Sequence, residues 1–408
     1  MKAISLKKSF CLDDLSTFIF AFFLFFTIFF PTSKNIVKLT LFSILFVYSM
    51  YKQKGVYSIP IPVIIYVIYN LMSIFIGLLN GAPGALRTST VTVIYPIAFS
   101  MIFISLCHEG NFKTFSKAII LIATIVSTYD ILYCISQIGY IRLPGWFFID
   151  SLNMSFTNHF GYTHFTTTHI NILFFSLPFS MSILMKYNNG DEGKIIKKNR
   201  LIFSIILQYF CVILATRIAM VTISILSIAI IFAINIFLES PKAKKTIKRV
   251  YAMYITIGFI IIVGLLIYFS NYLGMVLSAV YNKFIVEGQI GSTSPRAIQA
   301  DALINGWIEK PLLGHGAGSY TPLCIRSEEM PWSYELTYHA LLFQSGIVGF
   351  VITFGLYFFI IFQIIKAVIK DKSIRAEGVA YASGLICFLI ANAVDPYLGK
   401  FGYMWVIY

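Results

Sequence analysis

The chain has 408 residues, of which 58% are hydrophobic and only 12% charged, with a formal net charge of +14. Soluble domains carry about 25% charged residues, so a water-facing globular domain is excluded along most of this sequence. The basic surplus does not point to nucleic acid, because its placement follows a different rule, set out below.

Apolar runs close to 20 residues recur from end to end, the length a bilayer demands, and backbone in lipid must bond internally, so these runs are expected to be helices. In chain order the expected spans are 15–31, 36–51, 58–79, 90–107, 118–138, 167–185, 201–216, 218–238, 251–271, 337–365 and 377–394. The fold class is therefore all-α, one polytopic membrane domain over 1–408 with about eleven crossings. The first run follows Lys2, Lys7 and Lys8 as a signal peptide would, yet it is long and no small-residue cleavage site follows it. It reads as a retained span. The stretch 201–238 would be about 57 Å long as one helix, too long for one crossing, and is expected to turn near its only charge, Arg217. The tail after Asp395 is too short to span, and its side stays open.

With that turn in place, 21 of the 31 Lys and Arg fall in segments on one side, and 10 on the other. The first set includes five residues between Lys186 and Arg200, five between Lys242 and Arg249, and four between Lys366 and Arg375. This asymmetry is the positive-inside bias, and it predicts a bacterial inner-membrane protein with those loops in the cytoplasm. The six cysteines are scattered and give no disulfide or metal framework.

Two segments on the other, periplasmic side are long enough to carry function. Segment 139–166 is aromatic and polar, with Trp146, Phe147, Phe148, His159, Tyr162 and His164. The main loop, 271–336, is the longest hydrophilic stretch and holds Arg296, Glu309, Lys310, Arg326 and Glu335. Candidate sugar-contacting aromatics are Trp146, Tyr162, Trp307, Tyr320 and Trp332, although an interfacial aromatic belt explains Trp146 and Tyr162 as well. His159, His164 and His169 are five apart and would splay around a helix, so no metal site is expected. Asp130, inside a span, reads as a satisfied polar contact.

Arg217, flanked by apolar residues at membrane depth, is costly unless paired or hydrated, which makes it a functional candidate; a turn residue snorkelling to the interface is the competing reading. Arg296 follows Ser294-Pro295, a cap and a first-turn proline, so an arginine and a helix start come together as an anion site. The glycines of Gly314-His315-Gly316-Ala317-Gly318 lack the preceding strand of a nucleotide motif and are expected to make a tight turn. Glu335 and His339 are four apart at the start of a span, so they are expected to share a helix face, where a carboxylate and an imidazole can take a proton from a hydroxyl.

Four features together resemble the O-antigen polymerase and O-antigen ligase superfamily. They are Ala-Thr-Arg217-Ile-Ala; the loop running Ser-Pro-Arg296, Trp307 and Lys-Pro-Leu-Leu-Gly314-His-Gly316-Ala-Gly318; the run Glu335 to His339, Gly346 and Gly349 entering a span; and the position of the largest outer loop. Ligases of that superfamily usually carry a His-Asn-type pair eleven residues before the Gly-x-x-Gly. Eleven residues before Gly346 stands Glu335, which looks more like a polymerase. The resemblance implies a GT-C-like, metal-independent glycosyltransferase without a cofactor, acting on undecaprenyl-diphosphate-linked oligosaccharides in the membrane. It implies catalytic roles for Glu335 and His339 and diphosphate binding by Arg217 and Arg296, with a chain-length regulator protein as a candidate partner and no nucleic acid. The alternatives are a ligase moving glycan to lipid A core or protein, and, in another class, a lipid-linked oligosaccharide flippase or transporter.

Overall fold

The computed structural model describes residues 12–52, 59–106, 109–159, 162–187, 196–215, 218–238, 295–371 and 373–407. The helices are α1 (Leu12–Phe29), α2 (Asn35–Lys52), α3 (Ile61–Leu79), α4 (Ala85–Ser89), α5 (Tyr95–Leu106), α6 (Glu109–Gln137), α7 (Leu173–Tyr187), α8 (Lys198–Leu214), α9 (Ile218–Leu238), α10 (Pro295–Glu309), α11 (Thr337–Lys370) and α12 (Arg375–Ala391). Among the described residues, four stretches are long and apolar enough to cross a membrane: Ile61–Leu79, Ala85–Leu106, Lys113–Gln137 and Thr337–Lys370. Large apolar side chains such as Phe75 (60% exposed), Phe358 (66%) and Phe362 (61%) stand on the outside of this bundle, where water would penalise them and lipid would not. The expected span 251–271 lies outside the described residues.

Local sequence explains most boundaries. Pro60 and Pro62 open α3, where a missing N–H costs nothing, and Gly81, with φ of 70°, follows its last turn. Thr90–Ile94 forms a wide π turn between α4 and α5, just ahead of Pro96, whose ring cannot donate to the preceding turn. The carbonyls of Phe30 and Pro31, beyond the end of α1, accept bonds from Lys38 Nζ at 2.9 and 3.1 Å. Lys38 is thus a fully buried clamp, although the charge pattern counts it among the exposed cations of the periplasmic side. Helix α8 ends at Leu214 and α9 starts at Ile218, so the long apolar run is not one helix; the turn expected near Arg217 lies outside the described residues.

The core forms where α12 packs on α7 and α9, α6 on α8, and α1 on α2 and α6. Small residues allow the close approach: a Cβ added at Gly384 of α12 would come within 2.9 Å of Phe175 on α7. Buried polar groups are matched across helices. Gln208 of α8 accepts from Ser176 and donates to Ser180 and Ser204. Asp130 Oδ1 lies 2.7 Å from His169 Nε2, with both side chains buried, as a satisfied contact should be.

Two features depart from the sequence reading. Segment 139–166 holds two 3-10 turns, Gly145–Phe147 and Asp150–Leu152, and then a strand pair: Ser155–His159 (β1) runs antiparallel to Tyr162–Thr166 (β2), Thr157 opposite His164 and His159 opposite Tyr162. Threonine and aromatic residues favour strands, so among the described residues the all-α description has this exception, and His159 and His164 stand on strands rather than a helix. The tail does not trail away. Phe401–Val406 turns back as a 3-10 run, with Trp405 and Tyr403 almost fully buried and Phe401 packed on Phe42 and Tyr95.

Candidate active site

The best-defined polar cluster forms where α10 lies against the start of α11. Pro295 opens α10, and Arg296 follows in its first turn. Gln299, fully buried, accepts the Leu336 N–H through Oε1 at 2.9 Å, while Leu303 packs with Tyr334 and Phe343. This contact fixes α10 relative to the chain entering α11. Glu335 then receives two guanidinium groups: Arg296 Nε donates to Oε2 at 2.9 Å and Arg326 Nη2 to Oε1 at 2.8 Å. Two cations and one anion leave a net charge of +1, and one N–H fork supplies donors in a plane, suited to phosphate oxygens. Beneath the cluster, Tyr334 Oη accepts the Thr321 N–H at 2.7 Å, and burial pushes its phenol up to about 12.

The glycine-rich turn holds this arrangement in place. Gly314, Gly316 and Gly318 all have positive φ, at 69°, 95° and 74°, which only glycine adopts without strain. The turn docks into a break in α11 at Gly346, where φ is 62° and ψ −172°. There the carbonyls of Phe343 and Gln344 accept from His315 and Gly316, and the N–H groups of Ile347 and Val348 donate to Pro311 and Leu312. A broken helix at this depth would otherwise leave these groups without partners. The imidazole of His315 stacks on Phe343 and reaches the Gly306 carbonyl through Nε2 at 2.8 Å, so it braces α10 against α11.

The structure brings Arg296 and Glu335 together, but it separates Glu335 from His339. Helix α11 starts at Thr337 with Leu336 as its cap, at φ −78° and ψ 80°, so Glu335 precedes the helix and does not share a face with His339. The cause is the Gln299–Leu336 bond and the two arginines, which draw the chain away from a helical path. His339 Nδ1 is buried and has no hydrogen-bond partner among the described residues. Arg217 lies outside the described residues. Of the aromatic candidates, Trp307 donates its indole N–H to the Pro311 carbonyl and belongs to the brace. Trp332 lies against Gly84, where a Cβ would come within 2.4 Å of its ring. Tyr320 lines a small polar recess with Lys310 and His315. Trp146 stands 81% exposed at a different segment, and Tyr162 begins β2. Arg326 is the site residue that sequence reading missed; in the sequence it is one of several charges in a long loop.

Apolar helices around satisfied polar contacts, with ionic side chains gathered near one helix start, define the class: a membrane-embedded helical protein. No protein-family model, no curated protein and no solved structure matches the chain.

Proposed function

We propose that the chain is a polysaccharide polymerase of the O-antigen type, a metal-independent membrane glycosyltransferase that joins undecaprenyl-diphosphate-linked repeat units at the periplasmic face of a bacterial inner membrane. In this reading the helices complete a GT-C-like bundle of about eleven crossings, and a chain-length regulator acts as partner. The observation that carries it is Glu335 held between Arg296 and Arg326 at the entry to α11. A terminal hydroxyl oxygen attacks the anomeric carbon of the growing chain, the bond from that carbon to the diphosphate oxygen breaks, and the hydroxyl proton passes to the Glu335 carboxylate or to the departing diphosphate. The departing diphosphate gains negative charge, which Arg296, Arg326 and Arg217 offset. Glu335 orients the acceptor hydroxyl or takes its proton; with one lone-pair direction on each oxygen already used by an arginine, orientation is the stronger role.

One observation favours the ligase reading: His339, whose Nδ1 is buried without a described partner, is an imidazole that a substrate hydroxyl can engage. Deleting the chain from its host separates the two. A polymerase deletion leaves lipid A core carrying a single repeat unit. Bare core, with polymer accumulating on undecaprenyl diphosphate, assigns the ligase and refutes the polymerase.

A further inference from the structure

The glycine-rich turn sits lower in the bundle than a loop in water would. Ala317 donates its N–H to the Ser73 carbonyl at 2.9 Å. Ser73 precedes the end of α3 at Leu79 by six residues, which is roughly 9 Å at helical rise. The backbones of Gly77 and Gly316 meet at this level, and a side chain on either glycine would strike the facing main chain. Helix α11 gives a consistent level. Its residues 346–365 hold no charged side chain and span about 30 Å as a helix, the thickness of a hydrocarbon core. The break at Gly346 therefore stands at the boundary of that core. Non-helical backbone survives there only where protein covers it. Gly314, Gly316, Ala317, Gly318 and Ser319 are buried. The N–H groups of Gly314, His315, Gly316 and Ala317 all reach carbonyls, on Lys310, Phe343, Gln344 and Ser73.

The residues leading into the turn face outward. Pro311, Leu312 and Leu313 are exposed, Leu312 at 65%. The Pro311 and Leu312 carbonyls accept from the Ile347 and Val348 N–H groups at 2.9 and 3.2 Å. This strip thus runs beside Ile347, Val348 and Val351, outward residues of α11, and continues a surface that a membrane-crossing helix presents to lipid. Just ahead of it, Lys310 is exposed and shares a recess with residues 80–83, beyond the end of α3. An ammonium at headgroup height with outward leucines below it suits a segment lying in the interface.

We propose that residues 310–318 are a re-entrant dip whose outward face, Pro311 to Leu313, binds phospholipid acyl chains in the leaflet around the Leu79 end of α3, with Lys310 reaching the lipid phosphate. The dip fastens the end of α10 to the bilayer surface. It requires only that α3 and α11 cross the membrane, and does not rest on the glycosyl-transfer reading. The test places the photoreactive amino acid p-benzoylphenylalanine at 312 or 313 of the otherwise unaltered full chain, in nanodiscs of phosphatidylethanolamine and phosphatidylglycerol. On irradiation the benzophenone carbonyl takes a hydrogen atom from a neighbouring C–H, the two carbon radicals join, and intact-protein mass spectrometry reads the adduct. Adducts of one phospholipid mass are expected at both positions, and far fewer with the probe at 329, an exposed position beside Glu328. Adducts to a second copy of the chain, no lipid adduct, or equal labelling at 329 overturn the proposal. A second measurement turns on the sign of an effect. Leu312→Gln with Leu313→Gln should lower the melting temperature in nanodiscs, because acyl chains cannot solvate the amides, whereas a loop in water would tolerate the change or gain from it. An equal or higher melting temperature also overturns the dip. Should the double variant fail to fold, photolabelling decides alone, since it keeps both leucine positions apolar.

Discussion

Replacing Glu335 with glutamine separates a structural ion pair from a group that acts on substrate. The Arg296 side chain is 54% exposed, Arg326 35% and Glu335 29%, so both pairs are well screened. Each contributes no more than about 1 kcal/mol, and Glu335→Gln should cost at most about 2 kcal/mol of stability in total. A group that orients or deprotonates the acceptor contributes about 10²–10⁴-fold to the rate, or about 2.7–5.4 kcal/mol of barrier. The two readings therefore differ by more than either measurement's error. Charge makes the contrast sharper: with the carboxylate gone, the cluster carries +2 instead of +1, which favours a diphosphate. The expected result is a kcat reduced by at least about a hundredfold with the KM for the donor unchanged or lower. Glu335→Asp retracts the carboxylate by one methylene, so it keeps one arginine at most and part of the activity. The assay is elongation of a lipid-linked repeat unit by purified protein, run beside thermal unfolding. If Glu335→Gln elongates within about threefold of wild type, or if its whole deficit follows the loss of folded protein, the carboxylate is structural and the assignment fails.

Arg296→Ala, Arg326→Ala and Arg217→Ala should each abolish elongation with folded protein retained, and lysine should rescue only in part, because a point charge lacks the planar fork; near-wild-type elongation in the alanine variants would refute the diphosphate role. Gly346→Ala should lose thermal stability sharply and activity with it, since its Cβ would come within 2.3 Å of the Leu312 carbonyl oxygen at a positive φ that alanine tolerates poorly; a melting temperature equal to wild type would show that α11 straightens without penalty. Tyr334→Phe should cost about 1–3 kcal/mol by leaving the Thr321 N–H without its acceptor. The same phenol predicts a pH dependence. Its folded value, about 12, lies above the ordinary 10.0, so the stabilisation is fully present below pH 10 and fades as pH rises toward 12. Chemical unfolding between pH 9 and pH 11 should show a smaller loss in Tyr334→Phe than in wild type.

Features set by local composition were readable in the sequence. The apolar runs marked where α1, α2, α3, α6, α8 and α9 form, because length and hydropathy decide that without knowledge of neighbours. The break between α8 and α9 and the turn at Gly314–Gly318 followed from local sequence too. Features set by contacts distant in the chain were not readable. Glu335 pairs with an arginine 39 residues upstream, and no spacing rule announces which of several loop charges will meet it. Gly346 offered no sign that it breaks α11, since a glycine within a helical pattern packs as often as it kinks. The hairpin at 155–166 was hidden by its own aromatics, which fit a membrane belt as well as a strand. The tail was judged by length alone, a criterion blind to Trp405 and Tyr403 filling the space between helices.

The distribution of polar groups bears on the remaining rival, a carrier for the same lipid-linked glycan. A carrier needs hydrated or ionisable groups along the membrane depth, spaced so that a polar headgroup can pass from one to the next. Among the described residues, two polar clusters at depth are closed on themselves. Asp130 faces His169, Thr167 and Cys211, and Gln208 spends its amide on three serines. Such closed networks hold helices together and offer no path. The cavity bordered by Phe20, Phe103, Phe179 and Trp405 is almost wholly apolar, a surface for a lipid tail and not for sugar. Among the described residues, ionic side chains instead gather at the entry to α11, where Arg296 and Arg326 hold Glu335. A helix broken at Gly346 and pinned there by main-chain bonds cannot rock as a carrier element must without severing them. Under the proposed glycosyl transfer, it instead holds the Arg296–Glu335–Arg326 cluster in a fixed place, the preorganisation that group transfer requires.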